Sequence, residues 1–170
     1  GYGEDGNSMI RSGPMSIHNG ADDNASGTAA LIELARKLKN SDAKNNNYLF
    51  IAFSGEELGL FGSKYFTENP TIDLKTVNYM INMDMVGRLN DSTKVLTVGG
   101  FGTSPAWDKV VNNLDFFKLP YKGDMTAPLV IKIDSSGTGP SDHTSFYRKD
   151  IPVLFYFTGL HTDYHKPSDD

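Results

Sequence analysis

The sequence lacks cysteine altogether. This absence excludes disulfide bonds, thiol nucleophiles and thiolate metal sites, and it leaves the compartment open because a cysteine-free chain suits the periplasm as well as the cytosol. Long hydrophobic runs are missing as well, since no stretch approaches the ~20 apolar residues of a membrane-spanning helix. The sequence therefore predicts no membrane span, and a metal site here would have to use ligands other than thiolates.

An excess of positive charge is also absent. The chain has 16 Lys and Arg against 21 Asp and Glu, a net charge of −5, and it contains no basic run. There is accordingly no electrostatic reason to expect a nucleic-acid partner. What remains is an ordinary globular composition with 38% hydrophobic residues. A length of 170 residues is enough for one domain with a buried core.

Apolar runs typical of buried strands alternate with stretches that have the spacing of amphipathic helices. The predicted strands are 48–53, 77–87, 94–98, 129–134 and 152–157, and the predicted helices are 28–38, 58–69, 104–117 and 141–150. Nearly all-apolar strands that alternate with helices indicate an α/β sheet covered on both faces. In such sheets, ligands bind beyond the carboxyl ends of the strands.

Acidic and imidazole side chains cluster at the ends of the predicted strands and before the first helix. They are Asp22 and Asp23, Glu56 and Glu57, Asp84, and His161 and His165. A site of carboxylates and imidazoles without sulfur suits zinc, or cobalt or manganese. One metal with three protein ligands and a water, or two metals ~3.5–4 Å apart that share a bridging carboxylate, would account for the clusters.

The pair Asp22–Asp23 has two simpler interpretations. It could cap the helix that starts at Thr28, because acidic side chains there satisfy free N–H groups and favour the helix dipole. The segment DDNASGTAALIE also matches the pattern of a calcium-binding loop from Asp22 to Glu33. That loop requires a helix directly before it, whereas RSGPMSIHNGA contains Gly and Pro and has no helical face, which argues against calcium.

The other clusters have plainer interpretations too. Glu56 and Glu57 would suit a solvated helix start, although this explains one glutamate better than two at the mouth of a sheet. Asp84 is flanked by methionines, and an ionised group in such surroundings needs a partner. His161 and His165 could share a helix face, but a nearby proline and polar neighbours favour a loop, in which only one of them need be a ligand.

Five motifs occur in an order that resembles one family closely: NGADDNASG, FSGEELGLFGS, MINMDMVGR, SDHTSF and HTDYHKPSDD. Together they are similar to the M28 zinc aminopeptidases, from about residue 18 to the end of the chain. The resemblance implies an α/β fold of the zinc-dependent exopeptidase type, a three-layer sandwich with a mixed, mainly parallel sheet. It also implies two zinc ions bound over the strand ends.

The resemblance implies a role for each acidic or imidazole residue of these motifs. Asp23 matches the carboxylate that bridges the metals, and Glu57 and His165 match the remaining ligands of one zinc. Asp84 matches a ligand of the other zinc. Glu56 matches the general base, which accepts a proton from the metal-activated water and later passes it to the leaving amine.

Three further residues match positions around the site. Tyr164 matches a position at which some family members place a phenol that steadies the substrate carbonyl oxygen. Asp142 and His143 match the SDH motif of the family and are expected to form a pocket wall and to support the metal ligands. Aromatic candidates for the walls of the substrate pocket are Phe101, Tyr121, Phe155 and Phe157.

One ligand of the family has no match. It is a histidine in an H-x-D motif upstream of the DD loop, and the only upstream histidine here, His18, is expected to be a loop residue. The chain is therefore expected to be an M28-type catalytic domain, residues 1–170, incomplete at both ends. One zinc site keeps its three ligands and the other keeps only Asp23 and Asp84, so weak or absent activity is expected of the isolated 170 residues.

The function that the resemblance implies is a zinc-dependent aminopeptidase that acts on peptide substrates with a free N-terminus. One alternative is a single-zinc enzyme that closes N-terminal glutamine, as glutaminyl cyclases do, because the three-ligand set suffices for it. Another is a non-catalytic metal-binding or scaffold domain, although Glu56 would have no task there. The resemblance also makes a secreted or periplasmic location the expectation.

Overall fold

The computed structural model describes residues 8–9, 16–113, 120–121 and 124–170 of the protein. Its internal contacts divide the chain into two compact units. Unit 1 comprises Gly1–Ala52, Met83–Arg88 and Leu160–Asp170, and unit 2 comprises Phe53–Asn82 and Leu89–Gly159. Unit 1 is therefore assembled from three segments that lie far apart in the sequence.

Unit 1 contains the first helix, α1, which spans Gly27–Lys39 and follows an irregular turn over Ala21–Ser26. The apolar positions that predict this helix share one half-buried face, whereas Ile32, which lies off that face, is 67% exposed. The last turn of α1 is rich in positively charged side chains, which interact favourably with the negative C-terminal end of the helix dipole. The amphipathic pattern thus predicts the helix to within one residue at each end.

The predicted strand over 48–53 is wrong for this structure. Tyr48, Leu49 and Phe50 are 37%, 57% and 37% exposed, although the apolar run predicts a strand buried on both faces. A strand requires hydrogen bonds to a neighbouring strand, and none of the described strands pairs with these residues. Hydrophobicity identifies an apolar run here, but it does not supply the pairing that makes a strand.

The other elements are short. Those that the sequence predicts come in the predicted order, whereas the strands Pro120–Tyr121 and Asp124–Pro128 were not predicted. The helices are α2 (Phe61–Glu68), α3 (Ala106–Asn113) and α4 (His143–Tyr147), with 3-10 turns at Leu74–Thr76 and Phe101–Thr103. The strands are β1 (Met80–Met83), β2 (Val95–Gly99), β3 (Pro120–Tyr121), β4 (Asp124–Pro128), β5 (Val130–Ile133) and β6 (Val153–Phe157). Residues 114–117 of the third predicted helix lie outside the described residues. Among the described helices, none has the length and apolar character that crossing a membrane requires.

Four strands form a mixed sheet in the order β1-β6-β2-β5. Strand β2 is parallel to β5, with Val95 opposite Val130, and antiparallel to β6, with Gly99 opposite Phe155. Strands β3 and β4 form a separate antiparallel pair. A mixed sheet whose strands alternate with helices along the chain confirms the α/β fold predicted from the sequence.

Two neighbouring residues of β6, Val153 and Leu154, belong to separate parts of the core of unit 2. Consecutive side chains of a strand point to opposite faces of the sheet, and Val153 and Leu154 are 0% and 2% exposed. Val153 packs with Phe146 of α4, and Leu154 packs with Val98 and with Trp107 of α3. Helices therefore cover both faces of the sheet within unit 2, as the expected three-layer arrangement requires.

Replacing Leu154 by alanine should lower the free energy of unfolding by about 2–5 kcal/mol, because the substitution leaves a cavity in place of a side chain that is 2% exposed. Leu160→Ala is the matched control, since the same atoms are removed from a side chain that is 70% exposed. The control should change the free energy by less than ~0.5 kcal/mol. Urea unfolding followed by circular dichroism measures both values, and equal effects would contradict the two-sided core around β6.

Candidate metal centre

Two polar residues of the turn over Ala21–Ser26, Asp22 and Asn24, have different hydrogen-bond partners. Asn24 caps helix α1, because its Oδ1 accepts a hydrogen bond from the Gly27 amide at 3.0 Å. Asp22 does not share this task, since its Oδ1 accepts from the Gly87 amide at 2.7 Å. The helix-cap interpretation is therefore wrong for Asp22, which contacts a distant segment of unit 1 instead.

The calcium-loop interpretation fails on the same turn. Asn24 Nδ2 donates to the Met83 carbonyl at 3.0 Å, and Ser26 Oγ donates to the Asp22 carbonyl at 2.7 Å. Both side chains would have to be ligands in a calcium loop. Residues 16–20, directly before the turn, are not helical. Both the side chains and the preceding backbone thus lack the required arrangement.

Asp23 and His165, both predicted ligands, face each other in unit 1. Nε2 of His165 lies 3.1 Å from Oδ2 of Asp23, and the two side chains are 18% and 15% exposed respectively. The ring of His165 stacks on that of Tyr164 with centroids 3.8 Å apart. An imidazole nitrogen and a carboxylate oxygen at this separation suit two ligands of one zinc ion, whose bonds to such atoms are ~2.0–2.2 Å long.

Asp169 fixes the backbone of the acidic turn, a role that no sequence pattern predicts. Its side chain is buried at 2% exposure. The carboxylate accepts from the Asp22 amide with both oxygens and from the Asp23 amide with Oδ2, each at 3.1 Å. A buried carboxylate with several N–H donors is satisfied without a metal. Asp169 therefore orients the acidic turn. Its position within the motif HTDYHKPSDD is a signal of a place near the site but does not predict this role.

Asp22 occupies the interior of unit 1 with a side-chain exposure of 1%. Its Oδ2 lies 3.3 Å from Nε2 of His161, and within the described part of the chain neither atom has a hydrogen-bond partner. The two histidines of the last motif thus face different aspartates, His161 towards Asp22 and His165 towards Asp23. This arrangement agrees with only one histidine being a ligand, which stays a prediction.

The segment Met83–Arg88 carries the third predicted ligand of unit 1, the half-buried Asp84. Two glycines allow this segment to approach the acidic turn. A Cβ atom on Gly27 would lie 2.3 Å from the Met83 carbonyl oxygen, and one on Gly87 would lie 2.9 Å from Oδ1 of Asp22. A larger residue could not be accommodated at either position without a shift, so both glycines are needed to bring the two ligand-bearing segments together.

Glu56 and Glu57 lie in unit 2, in a tight turn that leads into α2. The amides of Gly59 and Leu60 donate to the Glu56 carbonyl at 2.9 and 2.8 Å. The turn uses Gly55 and Gly59 at φ values of 68° and 110°, which glycine adopts without steric strain. Glu56 is half-buried and Glu57 is exposed, so the adjacent glutamates have different surroundings.

Comparison with known proteins decides the family. The sequence profile of Peptidase family M28 matches residues 6–170. The chain belongs to this family. Leupeptin-inactivating enzyme 1 of Streptomyces exfoliatus is 32% identical over 170 residues, which are 96% of this chain and 35% of that protein. Aminopeptidase YwaD of Bacillus subtilis (strain 168) is 32% identical over 165 residues, which are 88% of this chain and 32% of that protein.

A solved structure has the same fold. It is BSAP, a zinc aminopeptidase from Bacillus subtilis, with 27% identity, a TM-score of 0.70, and coverage of 90% of this chain and 37% of its own. The M28 chain spans about one third of the length of these relatives. The family predicted from the five motifs is confirmed, and zinc occurs in the family.

The SDH motif of the M28 chain is buried in unit 2, with Asp142 and His143 at 8% and 1% exposure. The His143 ring stacks on Phe155 with centroids 4.4 Å apart. Asn82 Nδ2 lies 3.4 Å from Nδ1 of His143 and 2.7 Å from Oγ of Ser141. The motif therefore anchors β1, the strand that precedes Asp84.

The remaining predictions for the M28 chain concern His18 and the aromatic candidates for the walls of the substrate pocket. His18 is a loop residue as expected, with its ring nitrogens 3.0 Å from Ser8 Oγ and 3.0 Å from the Ser16 carbonyl. Phe155 stacks on Phe157 with centroids 5.8 Å apart, and their role as pocket walls stays a prediction. The Tyr121 side chain lies outside the described part of the structure.

Burial sets the protonation of the SDH motif. It lowers the pKa of His143 to about 4, and it raises the pKa of Asp142, although a hydrogen bond with Ser63 opposes this rise. His143 is therefore neutral at neutral pH, which leaves one ring nitrogen free to accept the hydrogen bond from Asn82.

The stability of the protein should increase between pH 4 and pH 6.5 through His143. The unfolded chain protonates this residue below the ordinary pKa of 6.5, whereas the folded chain protonates it only near pH 4. Stability contributed by the neutral ring is thus complete above pH 6.5 and is lost as the pH falls towards 4, by about 3 kcal/mol in total.

Urea unfolding of the unaltered protein and of His143→Gln at pH 4.5 and 7 measures this contribution. His143→Gln should lose most of the difference between the two pH values, and His18→Gln, at a loop position, should keep it. A pH dependence that is the same in the His143 variant and in the unaltered protein would show that this histidine is not the group responsible.

Proposed function

We propose that this protein is a zinc-dependent aminopeptidase that hydrolyses the N-terminal residue from peptides. The observation that carries the proposal is the pair formed by His165 Nε2 and Asp23 Oδ2, 3.1 Å apart in unit 1. Both atoms are of the types that zinc takes in hydrolytic sites. Membership of Peptidase family M28 and the likeness to a solved zinc aminopeptidase support zinc as the metal and the peptide bond as the target.

The ligands proposed for one zinc ion are Asp23 and His165, to which the family resemblance adds Glu57. Asp23 is also proposed to bridge to a second zinc ion that Asp84 helps to hold. Asp84 belongs to the segment that the close approach of Gly87 to Asp22 brings to the acidic turn. Carboxylate and imidazole donors without a thiolate fit zinc in this hydrolytic role.

Zinc bound by these residues would supply Lewis-acid activation of a water molecule at neutral pH. Glu56 is proposed as the general base, whose carboxylate accepts a proton from the attacking water and passes it to the amine of the leaving peptide. Tyr164 stacks on His165, and its phenol is proposed to donate a hydrogen bond to the carbonyl oxygen as negative charge develops there.

Two other functions make different predictions for substrates. A cyclase-like enzyme would convert peptides with N-terminal glutamine and would leave aminoacyl amides intact. A non-catalytic domain would bind metal and turn over neither. The adjacent glutamates of FSGEELGLFGS favour the hydrolase, because a binding module needs no general base beside its metal. A panel of aminoacyl amides and Gln-peptides separates the three functions.

Replacing Glu56 by glutamine should reduce kcat for aminoacyl amides by roughly 10²–10⁴-fold, because glutamine has a similar shape but cannot accept the proton. Zinc content should stay unchanged in this variant, since Glu56 is proposed as a base and not as a ligand. Glu68→Gln is the matched control at an exposed position in the last turn of α2. Turnover by Glu56→Gln at the rate of this control would exclude the role of general base.

Elemental analysis of the purified full-length protein should find two zinc ions per chain. Asp23→Ala should lose both ions because Asp23 is proposed as their shared ligand, whereas His165→Ala and Asp84→Ala should each lose one. Asp108→Ala, at an exposed position in α3, should keep both. A single zinc in the unaltered protein would favour the cyclase-like alternative, and no zinc at all would contradict the proposal.

A further inference from the structure

Arg88 lies in the segment Met83–Arg88 of unit 1 and contacts His161 and Asp163 in the segment Leu160–Asp170. Its Nη1 donates to Asp163 Oδ2 at 2.6 Å and lies 2.9 Å from Nδ1 of His161. Arginine has donors and no acceptor, so Nδ1 of His161 must be the acceptor. The amide of Asp163 also donates to this Nδ1 at 3.2 Å. A ring nitrogen that accepts from two donors carries no proton.

The single ring proton of His161 is therefore on Nε2. This atom lies 3.3 Å from Oδ2 of Asp22, and both atoms are buried without a hydrogen-bond partner among the described residues. A buried N–H group and a buried carboxylate oxygen are each unfavourable when unpaired. Their separation of 3.3 Å places the N–H group of His161 beside the Asp22 carboxylate.

Oδ1, the other carboxylate oxygen of Asp22, accepts a hydrogen bond from the Gly87 amide at 2.7 Å. The series Arg88–His161–Asp22 thus takes one residue from each of the three segments that form unit 1. Every member has a predicted ligand within four residues in the sequence: Asp23 for Asp22, Asp84 for Arg88 and His165 for His161.

We propose that Arg88 and His161 are positioning residues of the metal centre, which fix the Asp22 carboxylate and thereby hold the three ligand-bearing segments in register. Arg88 fixes the tautomer of His161, and His161 in turn fixes Asp22. The proposal rests on the proposed function, because it takes the residues beside these three as zinc ligands. Groups that orient ligands in this way raise metal affinity without contacting the metal.

A simpler interpretation is that Arg88 forms only a surface ion pair with Asp163. The side chains are 39% and 28% exposed, and an exposed pair of this kind contributes little to stability. Arg36 provides the matched comparison, since it forms a similar pair with Glu33 at 2.6 Å on the surface of α1. The two interpretations therefore predict different results for the substitution of Arg88 and of Arg36.

Zinc affinity of the metal-free full-length protein, measured by competition with a chromophoric chelator, tests the proposal. Arg88→Met and His161→Phe should weaken zinc binding by roughly 10–100-fold. His161→Gln should recover most of the affinity, because its terminal amide can donate to Asp22 from the place of Nε2. Arg36→Met should bind zinc like the unaltered protein.

The ¹⁵N chemical shifts of His161 in the metal-free protein give a second readout that a merely structural ion pair would not change. They should show a proton on Nε2 in the unaltered protein, and Arg88→Met should weaken this preference. A proton on Nδ1 in the unaltered protein would overturn the proposal. An Arg88→Met variant with the affinity of Arg36→Met would do the same.

Loss of one zinc ion per chain in His161→Gln would also overturn the proposal, since His161 would then be a ligand itself. The two proposals fail in different ways. An unaltered protein that binds no zinc would refute the proposed function, whereas the tautomer of His161 and its response to Arg88→Met would still decide whether these residues fix Asp22.

Discussion

The acidic turn depends on one buried carboxylate. Asp169 accepts the amides of both Asp22 and Asp23, so the backbone of the turn is fixed independently of the side chains that it presents. With their amides held, the two aspartates point to different partners: Asp22 towards Gly87 and His161, and Asp23 towards His165. Adjacent carboxylates in a flexible turn would instead separate into solvent, since like charges repel. The anchoring of two amides thus turns a DD pair into two residues with different tasks.

The acidic side chains of unit 1 support the proposal of a cation at this turn. Asp22 and Asp169 are buried, and Asp23 and Asp84 are half-buried in the same unit. Arg88 forms an ion pair with Asp163. The pKa of Asp163 is lowered mainly by a hydrogen bond from Ser168 and to a smaller extent by Arg88. Four carboxylates in one unit are groups that a divalent cation can compensate, which supports the proposed metal centre.

The sequence predicted the family of this protein more fully than the geometry of its fold. The spacing of apolar residues was sufficient to predict α1, and five short motifs were sufficient to identify the family. Both signals are contained within a few neighbouring residues. Contacts between distant residues leave no such signal. Asp169 is separated from Asp22 by 147 positions and Asp163 from Arg88 by 75, so neither role was predicted. The run 48–53 was wrongly predicted as a strand for the same reason, since its pairing is a property of distant residues.

The separation of the predicted ligands along the chain also bears on how the proposed site would form. No two of the segments that carry Asp23, Asp84 and His165 are adjacent in sequence, so the unfolded chain has no preformed site. Binding of the proposed metal would therefore add its free energy to folding. The protein contacts that bring the segments together, the close approach at Gly27 and Gly87 and the bonds of Asp169, involve neither metal nor predicted ligand side chains. A structure built in this way can bring the backbone of the predicted ligands together without metal, and the proposed metal would then compensate the charge of their side chains.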